Sequence, residues 1–288
     1  MKLFLYVLLV AISNCIIAQT TVYSGSADEQ IISFTVYAFS DDYTAALSIE
    51  GASESPLKFV GKLTGETLVL VRQEKNIDDT IIFHDFDPND SDAVGEWKSK
   101  GLDKKITINL KREISFEYYD SQVFESLELL QPESTNEHYF KFVVSQELKK
   151  TTRVKGLKIY NKANGTLEQE ISLNCDYSVI NRLNFGDFNF DGVTDISIFE
   201  ASYTGLNSSH IYILRDPKNN EYFVSNYEGV SLEFDYKNEL IYERNSCCMG
   251  NEYSTAKYRV ENNEMVLISE ECFKYDTEKE DFIQVKCG

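Results

Sequence analysis

The clearest chemistry in the sequence lies at residues 186–195, G-D-F-N-F-D-G-V-T-D, where oxygen-bearing side chains occupy alternate positions ahead of a glycine. Counting Asp187 as position 1, the loop has oxygen-bearing side chains at positions 1, 3, 5 and 9 and a backbone carbonyl available at position 7, and the glycine at position 6 permits a sharp bend. This pattern suits a hard cation with six or seven ligands. Calcium is the ion that such a set usually binds. The predicted ligands are Asp187, Asn189, Asp191, the backbone carbonyl of Val193, and Asp195.

Electrostatics favours the same interpretation of this loop. Carboxylates about 5 Å apart repel by about 3 kcal/mol per pair at an effective dielectric constant near 20, and a bound cation removes that repulsion. The alternative is a solvated acidic turn, because Asp-Gly turns are common. Position 12, where an EF-hand carries a bidentate glutamate, is Ile198, and the residues around it alternate as in a strand. We therefore expect a calcium turn within a β-hairpin.

A second acidic cluster spans residues 84–92, H-D-F-D-P-N-D-S-D, and has no glycine at position 6. Its two interpretations are a solvated hairpin turn and a weak second cation site. The chain carries neither G-x-S-x-G nor H-E-x-x-H spacing, so we predict that it is not an enzyme. A glycosidase remains the alternative, since that chemistry needs only two suitably spaced carboxylates.

The N-terminal residues indicate export. Lys2 is followed by a nearly pure hydrophobic run and by I-I-A-Q-T at 16–20, which predicts a signal peptide over residues 1–18 with cleavage after Ala18. Acylation of Cys15 is the less favoured alternative, because Asn14 stands where a small residue is preferred. No later run is long enough to span a membrane. The expected location is the periplasm or the extracellular space.

The formal net charge of −19 makes nucleic acid and anionic membranes poor partners and favours a cation or a basic protein. Five cysteines remain after the signal, all in the C-terminal half, and export permits disulfides. Neighbouring cysteines rarely bond to each other, so we expect Cys247 or Cys248 to pair with Cys175, and Cys272 to pair with Cys287. Zinc is not expected, because the Cys-Cys pair lacks C-x-x-C spacing and the three histidines are scattered.

The elements that must position these residues are strands. Short runs alternate apolar and polar residues at period two, separated by glycine and Asx turns, which predicts an all-β protein. Residues 19–112 form an N-terminal module, an antiparallel meander curling toward a barrel, and residues 113–153 a connecting region with a helical turn near 125–130. Residues 154–288 form a C-terminal calcium-binding domain, an antiparallel stack of hairpins for which a propeller-like form is one option. The N-terminal strands are predicted at 31–39, 43–49, 57–60, 67–72, 80–86, 93–97 and 106–110.

Within the C-terminal half, Asn164-Gly165 lies between two alternating runs and predicts a tight hairpin. The C-terminal half carries four segments in this order: L-K-I-Y at 157–160, E-Q-E-I at 168–171, the metal loop at 186–195 and T-G-L-N-S-S at 204–209. Through these segments it resembles a family of exported bacterial calcium-binding β proteins. That family includes the immunity protein of a bacterium-killing type IV secretion system. The resemblance covers about residues 155–287. It implies a calcium-bound periplasmic protein that blocks a lysozyme-like, peptidoglycan-degrading effector, with the same five ligands.

These observations predict a binding protein that contacts another protein, such as a basic peptidoglycan hydrolase, through a loop placed shortly after the metal site. The predicted contact residues are Tyr203, Gly205 and Asn207. The alternative is a surface adhesion or glycan-binding module, for which the eighteen tyrosines would supply stacking surfaces.

Overall fold

The structure, a computed structural model, describes residues 18–52, 56–74, 78–99, 105–117, 122–179, 183–203 and 207–287. These residues form twenty-one β-strands and no α-helix, which confirms the prediction of an all-β protein. Eight strands form an antiparallel meander that closes into a barrel when the first strand pairs with the eighth. They are β1 (Ala18–Ala27), β2 (Gln30–Phe39), β3 (Asp42–Ile49), β4 (Leu57–Thr64), β5 (Thr67–Arg72), β6 (Thr80–Phe83), β7 (Asp92–Lys98) and β8 (Lys105–Glu117).

The barrel closes around the apolar half of each alternating strand, because alternate side chains of a strand point to opposite faces. Phe34, Phe59 and Phe83 fill its interior and are almost completely buried. Trp97 packs edge-on against Phe59, with ring centroids 6.2 Å apart, and is 7% exposed. The sole tryptophan is therefore a core residue.

A four-stranded antiparallel sheet, in the order β12-β11-β10-β9, packs against the barrel. Tyr37 and Phe116 of the barrel share one apolar core with Leu129, Phe140 and other residues of this sheet. The Tyr37 hydroxyl also donates a hydrogen bond to the Leu130 carbonyl, 2.8 Å away. The strands are β9 (Phe124–Ser134), β10 (His138–Gln146), β11 (Arg153–Asn161) and β12 (Leu167–Asp176).

Two further antiparallel meanders follow. The third sheet consists of β13 (Leu183–Gly186), β14 (Asp195–Ser202), β15 (Ser208–Arg215) and β16 (Tyr222–Val224). The last sheet consists of β17 (Glu233–Asp235), β18 (Leu240–Cys247), β19 (Glu252–Glu261), β20 (Glu264–Asp276) and β21 (Asp281–Val285). On one face of the third sheet Ile196 and Ile213 join the core of the second sheet, whereas Tyr212 and Leu214 pack with Ile241 in a smaller core shared with the last sheet.

Most side chains of the last sheet are partly or fully exposed, including Tyr242, Leu267 and Phe282. A disulfide between Cys272 and Cys287 joins β20 to the residues that follow β21, as expected. Among the described residues, no helix has the length and apolar character needed to cross a membrane.

Three expectations from the sequence were wrong. The barrel has an additional strand, β1, which begins at Ala18. Residues 124–134, where a helical turn was expected, form β9, which packs against strands of the barrel. Cys175 has no disulfide, because it lies fully buried on β12 while Cys247 and Cys248 are exposed at the tip of the β18–β19 hairpin in another sheet. Residues 1–17, which include Cys15 and all of the predicted signal segment except Ala18, lie outside the described residues.

Candidate metal centre

The predicted calcium loop connects two paired antiparallel strands. Gly186, the last residue of β13, is the cross-strand partner of Asp195, the first residue of β14, so residues 187–194 form the turn of a β-hairpin. Gly192 has φ +85°, a left-handed conformation that glycine adopts without steric cost. The bend expected at position 6 is therefore present.

The side chain of Asp187 organises the turn. Its Oδ1 accepts a hydrogen bond from the Asp191 backbone N–H and its Oδ2 one from the Gly192 N–H, both at 2.9 Å. Asp191 acts in the same way one step later, since its Oδ1 accepts from the Val193 N–H at 2.8 Å. These bonds turn the carboxylates toward the inside of the bend, and each oxygen keeps a second lone pair for a cation.

Asp195 is fully buried and links the loop to the sheet. Its Oδ2 accepts a hydrogen bond from the Phe188 N–H and its Oδ1 one from the Arg215 N–H, both at 2.8 Å. Burial raises the pKa of Asp195 to about 6, although the two backbone hydrogen bonds act in the opposite direction. The carboxylates of Asp187 and Asp191 raise it further. A cation bound in the loop would compensate this unfavourable concentration of negative charge.

Asn189 connects the loop to the last sheet. Only 8% exposed, it donates from Nδ2 to Asp191 Oδ2 and to Asn263 Oδ1, both at 2.9 Å. Asn263 lies in the turn between β19 and β20, and no local pattern in the sequence assigns it to this site. Phe188 packs on Phe234 of β17, with ring centroids 4.9 Å apart. The loop therefore joins the third sheet to the last one.

The donor set fits a hard cation, because every predicted ligand offers oxygen. The loop carboxylates nevertheless lie too far apart to form a closed shell. Among the described residues, the groups of three metal-ligating side chains whose ligand atoms lie within 4.8 Å of one another are found elsewhere. They are Cys247 with Cys248 and Glu252, and Glu270 with Cys272 and Cys287. Calcium would have to bring the loop carboxylates closer together, with Asn189 and the Val193 carbonyl completing the shell.

The second acidic cluster is a hydrogen-bonded exposed turn. Asp87 Oδ1 accepts hydrogen bonds from the backbone N–H of Asn89 at 2.8 Å and from its Nδ2 at 3.0 Å. This is a local Asx turn between β6 and β7. The solvated-turn interpretation accounts for it without a cation.

The predicted contact residues differ in their surroundings. Tyr203 is 52% exposed and lines a cavity of about 690 Å³ together with Glu200, His210 and Glu228. Asn207 is 8% exposed, and its Nδ2 donates to Asn245 Oδ1 at 3.0 Å and to the Ser246 carbonyl at 2.8 Å, so its amide is already paired within the fold. Gly205 lies outside the described residues.

A chain of polar side chains that the sequence did not predict connects β10, β12 and β16. His138 is 5% exposed, with Nε2 2.9 Å from Glu168 Oε2 and Nδ1 3.3 Å from the Tyr222 hydroxyl. Burial raises the pKa of Tyr222 to about 12, so its hydroxyl remains protonated at neutral pH. We interpret the chain as a structural link between the second and third sheets. Its members are far apart in the sequence, and no local motif could have identified them.

Comparison with known proteins gives no matching family model and no curated protein with significant similarity.

Proposed function

We propose that the chain is an exported, calcium-stabilised β protein that binds a basic protein partner, and that this partner is a lysozyme-like hydrolase of the cell wall whose activity it inhibits. The calcium part rests on the hydrogen-bonded loop around Asp187 and Asp191 and on the buried carboxylate of Asp195. The identity of the partner class rests on the resemblance of residues 155–287 to a family of exported calcium-binding β proteins that includes an immunity protein. The observation that carries the binding part is the acidic, aromatic cavity next to Tyr203.

The cavity has the size and the chemistry to receive a basic side chain. Its volume of about 690 Å³ lies within the range of ligand pockets. Glu200 and Glu228 supply negative charge, and the exposed ring of Tyr203 supplies a face over which a guanidinium or ammonium group is attracted. An arginine or lysine of the partner would meet both kinds of contact.

The charge around the cavity supports the same kind of partner. Burial lowers the pKa of His210, although Glu200 acts in the opposite direction, so at neutral pH the imidazole adds no positive charge to the cavity. The formal net charge of −19 would also steer a basic protein toward this surface over distances limited by salt screening. Rim charges of this kind mainly affect the rate of association and its salt dependence.

The test is inhibition of a basic lysozyme-type muramidase, measured by the clearing of a cell-wall suspension in the presence of calcium. The wild-type chain should inhibit at micromolar concentration or below. Tyr203→Ala and Glu200→Gln should each weaken inhibition about tenfold, the effect of roughly 1.4 kcal/mol. Glu278→Gln, in the exposed turn between β20 and β21, is the matched control and should change nothing. Full muramidase activity at micromolar protein across a panel of such enzymes would refute the proposal.

The second candidate is a glycan-binding module, and the exposure of Tyr203 beside the cavity favours it. A sugar would stack on the ring of Tyr203 and would depend little on charge. Co-sedimentation with insoluble peptidoglycan distinguishes the two functions. Binding that is lost in Tyr203→Ala but insensitive to salt and to Glu200→Gln would support the glycan and contradict the basic protein.

A further inference from the structure

The tip of the β18–β19 hairpin carries two adjacent exposed cysteines. Cys247 ends β18, Cys248 begins a 3-10 turn that runs to Gly250, and Glu252 on β19 is the cross-strand partner of Cys247. Cys248 has φ +58° and Met249 φ +57°, a left-handed conformation that non-glycine residues rarely adopt. This turn places both sulfur atoms on the same side of the hairpin.

The two sulfur atoms are too close for an ordinary contact. Cys247 Sγ and Cys248 Sγ lie 2.7 Å apart. Heavy atoms that are not bonded to each other have their optimal separation at roughly 3.5 Å or more, whereas a disulfide bond measures about 2.05 Å. Two thiolates on one tetrahedral zinc ion, each about 2.3 Å from the metal, would be about 3.8 Å apart. The arrangement is therefore closer to a sulfur–sulfur bond than to a shared metal ion.

The surroundings of the pair disfavour thiolates. Glu252 Oε2 lies 3.7 Å from Cys247 Sγ and 3.6 Å from Cys248 Sγ, and Lys274 Nζ holds the other oxygen of Glu252 at 2.8 Å. The contact with Cys247, followed by partial desolvation and the negative charge of Glu252, raises the pKa of Cys248 to about 11. In the reduced pair Cys248 is therefore a protonated thiol at neutral pH, and closing the disulfide requires an oxidant and the release of that proton.

We propose that Cys247 and Cys248 form a vicinal disulfide, closed and opened by exchange with a small-molecule disulfide such as oxidised glutathione. The Cys247 thiolate attacks the glutathione disulfide, forms a mixed disulfide and releases one glutathione thiolate. The Cys248 thiolate then attacks Cys247 Sγ, forms the internal bond and releases the second glutathione. The protein loses two electrons and two protons, and one glutathione disulfide becomes two glutathione thiols.

Adjacency makes the bond reversible. The Cα atoms of neighbouring residues are about 3.8 Å apart across a trans peptide bond, less than the roughly 4.4–6.8 Å that disulfides usually span. The ring is therefore strained, and strained, exposed disulfides are the ones that thiols reduce most readily. The site depends neither on calcium nor on the partner proposed above.

The test equilibrates the full chain first with excess oxidised and then with excess reduced glutathione, blocks free thiols with iodoacetamide and maps the peptides by mass spectrometry. After oxidation, the peptide with Cys247 and Cys248 should be unalkylated and two hydrogen atoms lighter. After reduction it should carry two alkyl groups. Cys175→Ser, which removes a buried thiol, is the matched control and should leave this cycle unchanged. Cys247→Ser should instead give a single glutathione adduct on Cys248.

Three results would overturn the proposal. The first is that both thiols are still alkylated after oxidation, and the second is that one of them is linked to Cys175, Cys272, Cys287 or a second chain. The third is that a soft metal ion binds in equimolar amount while both thiols resist oxidation. Because Cys247→Ser changes no buried residue, a folded variant is expected, and its circular dichroism spectrum checks this.

Discussion

Removing calcium from the loop at 187–195 should lower the melting temperature of the protein, and Asp191→Ala should abolish that difference. Asp191 is exposed at the turn, so the substitution leaves no cavity in the core. It removes the hydrogen bond from the Val193 N–H and the one from Asn189 Nδ2. It also removes one of the predicted calcium ligands.

The loss of hydrogen bonds in Asp191→Ala and the stabilisation by calcium can be estimated separately. Two hydrogen bonds of about 0.5–1.5 kcal/mol each imply that Asp191→Ala lowers the free energy of unfolding by roughly 1–3 kcal/mol even in chelator. Calcium at about 100 times its Kd, for example about 1 mM for a Kd of about 10 μM, adds about 2.7 kcal/mol to the wild type. At roughly 2–4 °C per kcal/mol for a chain of this size, the calcium-dependent shift is about 5–10 °C.

Differential scanning calorimetry with calcium and with EDTA measures both effects, and isothermal titration gives the Kd that fixes the expected shift. Asp216→Ala is the matched control, because Asp216 Oδ1 accepts a comparable hydrogen bond from the Lys218 N–H at 2.9 Å in the turn after β15. This variant should lose about 1 kcal/mol and keep the full calcium shift. Identical melts of the wild type with and without calcium, or a retained shift in Asp191→Ala, would refute the assignment of the loop.

Two further predictions concern stability away from the loop. Arg72→Ala should cost about 3–5 kcal/mol in urea unfolding, because it leaves the carboxylate of Asp79, 2% exposed and 3.2 Å from the guanidinium, without its ion-pair partner. Glu128→Gln should remove part of the acid sensitivity. Burial alone would raise the pKa of Glu128, but hydrogen bonds from Lys158 and Lys141 outweigh it and lower the pKa. The stabilisation is thus present above the ordinary glutamate pKa and lost as the pH falls through the lowered one, and the variant should lose up to about 1 kcal/mol at neutral pH only.

Matched controls exist for both. Lys62, whose ion pair with Asp42 spans 3.3 Å on the exposed surface, should tolerate alanine with a loss below about 1 kcal/mol. A loss as small for Arg72→Ala would show that the buried pair does not hold β5. Glu278→Gln, in the exposed turn between β20 and β21, is the control for the acid titration and should leave the acid sensitivity unchanged. Equal acid sensitivity of the wild type and Glu128→Gln would contradict a lowered pKa for Glu128.

Local patterns predicted the parts of the fold in which one strand face is buried and the other is solvated. The alternation in β4–β7 placed four strands of the barrel, and Asn164-Gly165 placed the β11–β12 hairpin, where Gly165 has φ +70°. Likewise, the D-x-N-x-D-G spacing predicted a hairpin turn that is held largely by local hydrogen bonds. These signals are readable because each depends on neighbouring residues alone.

The remaining elements depend on contacts between distant residues. β1 was missed because it buries polar residues, Thr20 and Thr21, which give no apolar alternation. β9 buries Leu129 and Leu130 on consecutive positions, because both of its faces are covered at that point, so its period-two pattern is lost. Asn263 in the candidate metal centre was also missed, because it contacts Asn189 across a sequence separation of 74 residues.

The last sheet buries few side chains, and this affects which part of the protein unfolds first. Among its described strand residues, Ile241 and Ala256 are the buried ones, whereas the barrel and the second sheet each enclose a dense aromatic core. Amide hydrogens of β17–β21 should therefore exchange with deuterated solvent through a sub-global opening while the barrel amides stay protected. The covalent link between Cys272 and Cys287 lies wholly within that segment, so it would keep β21 attached to β20 during the opening without tying either strand to the rest of the protein.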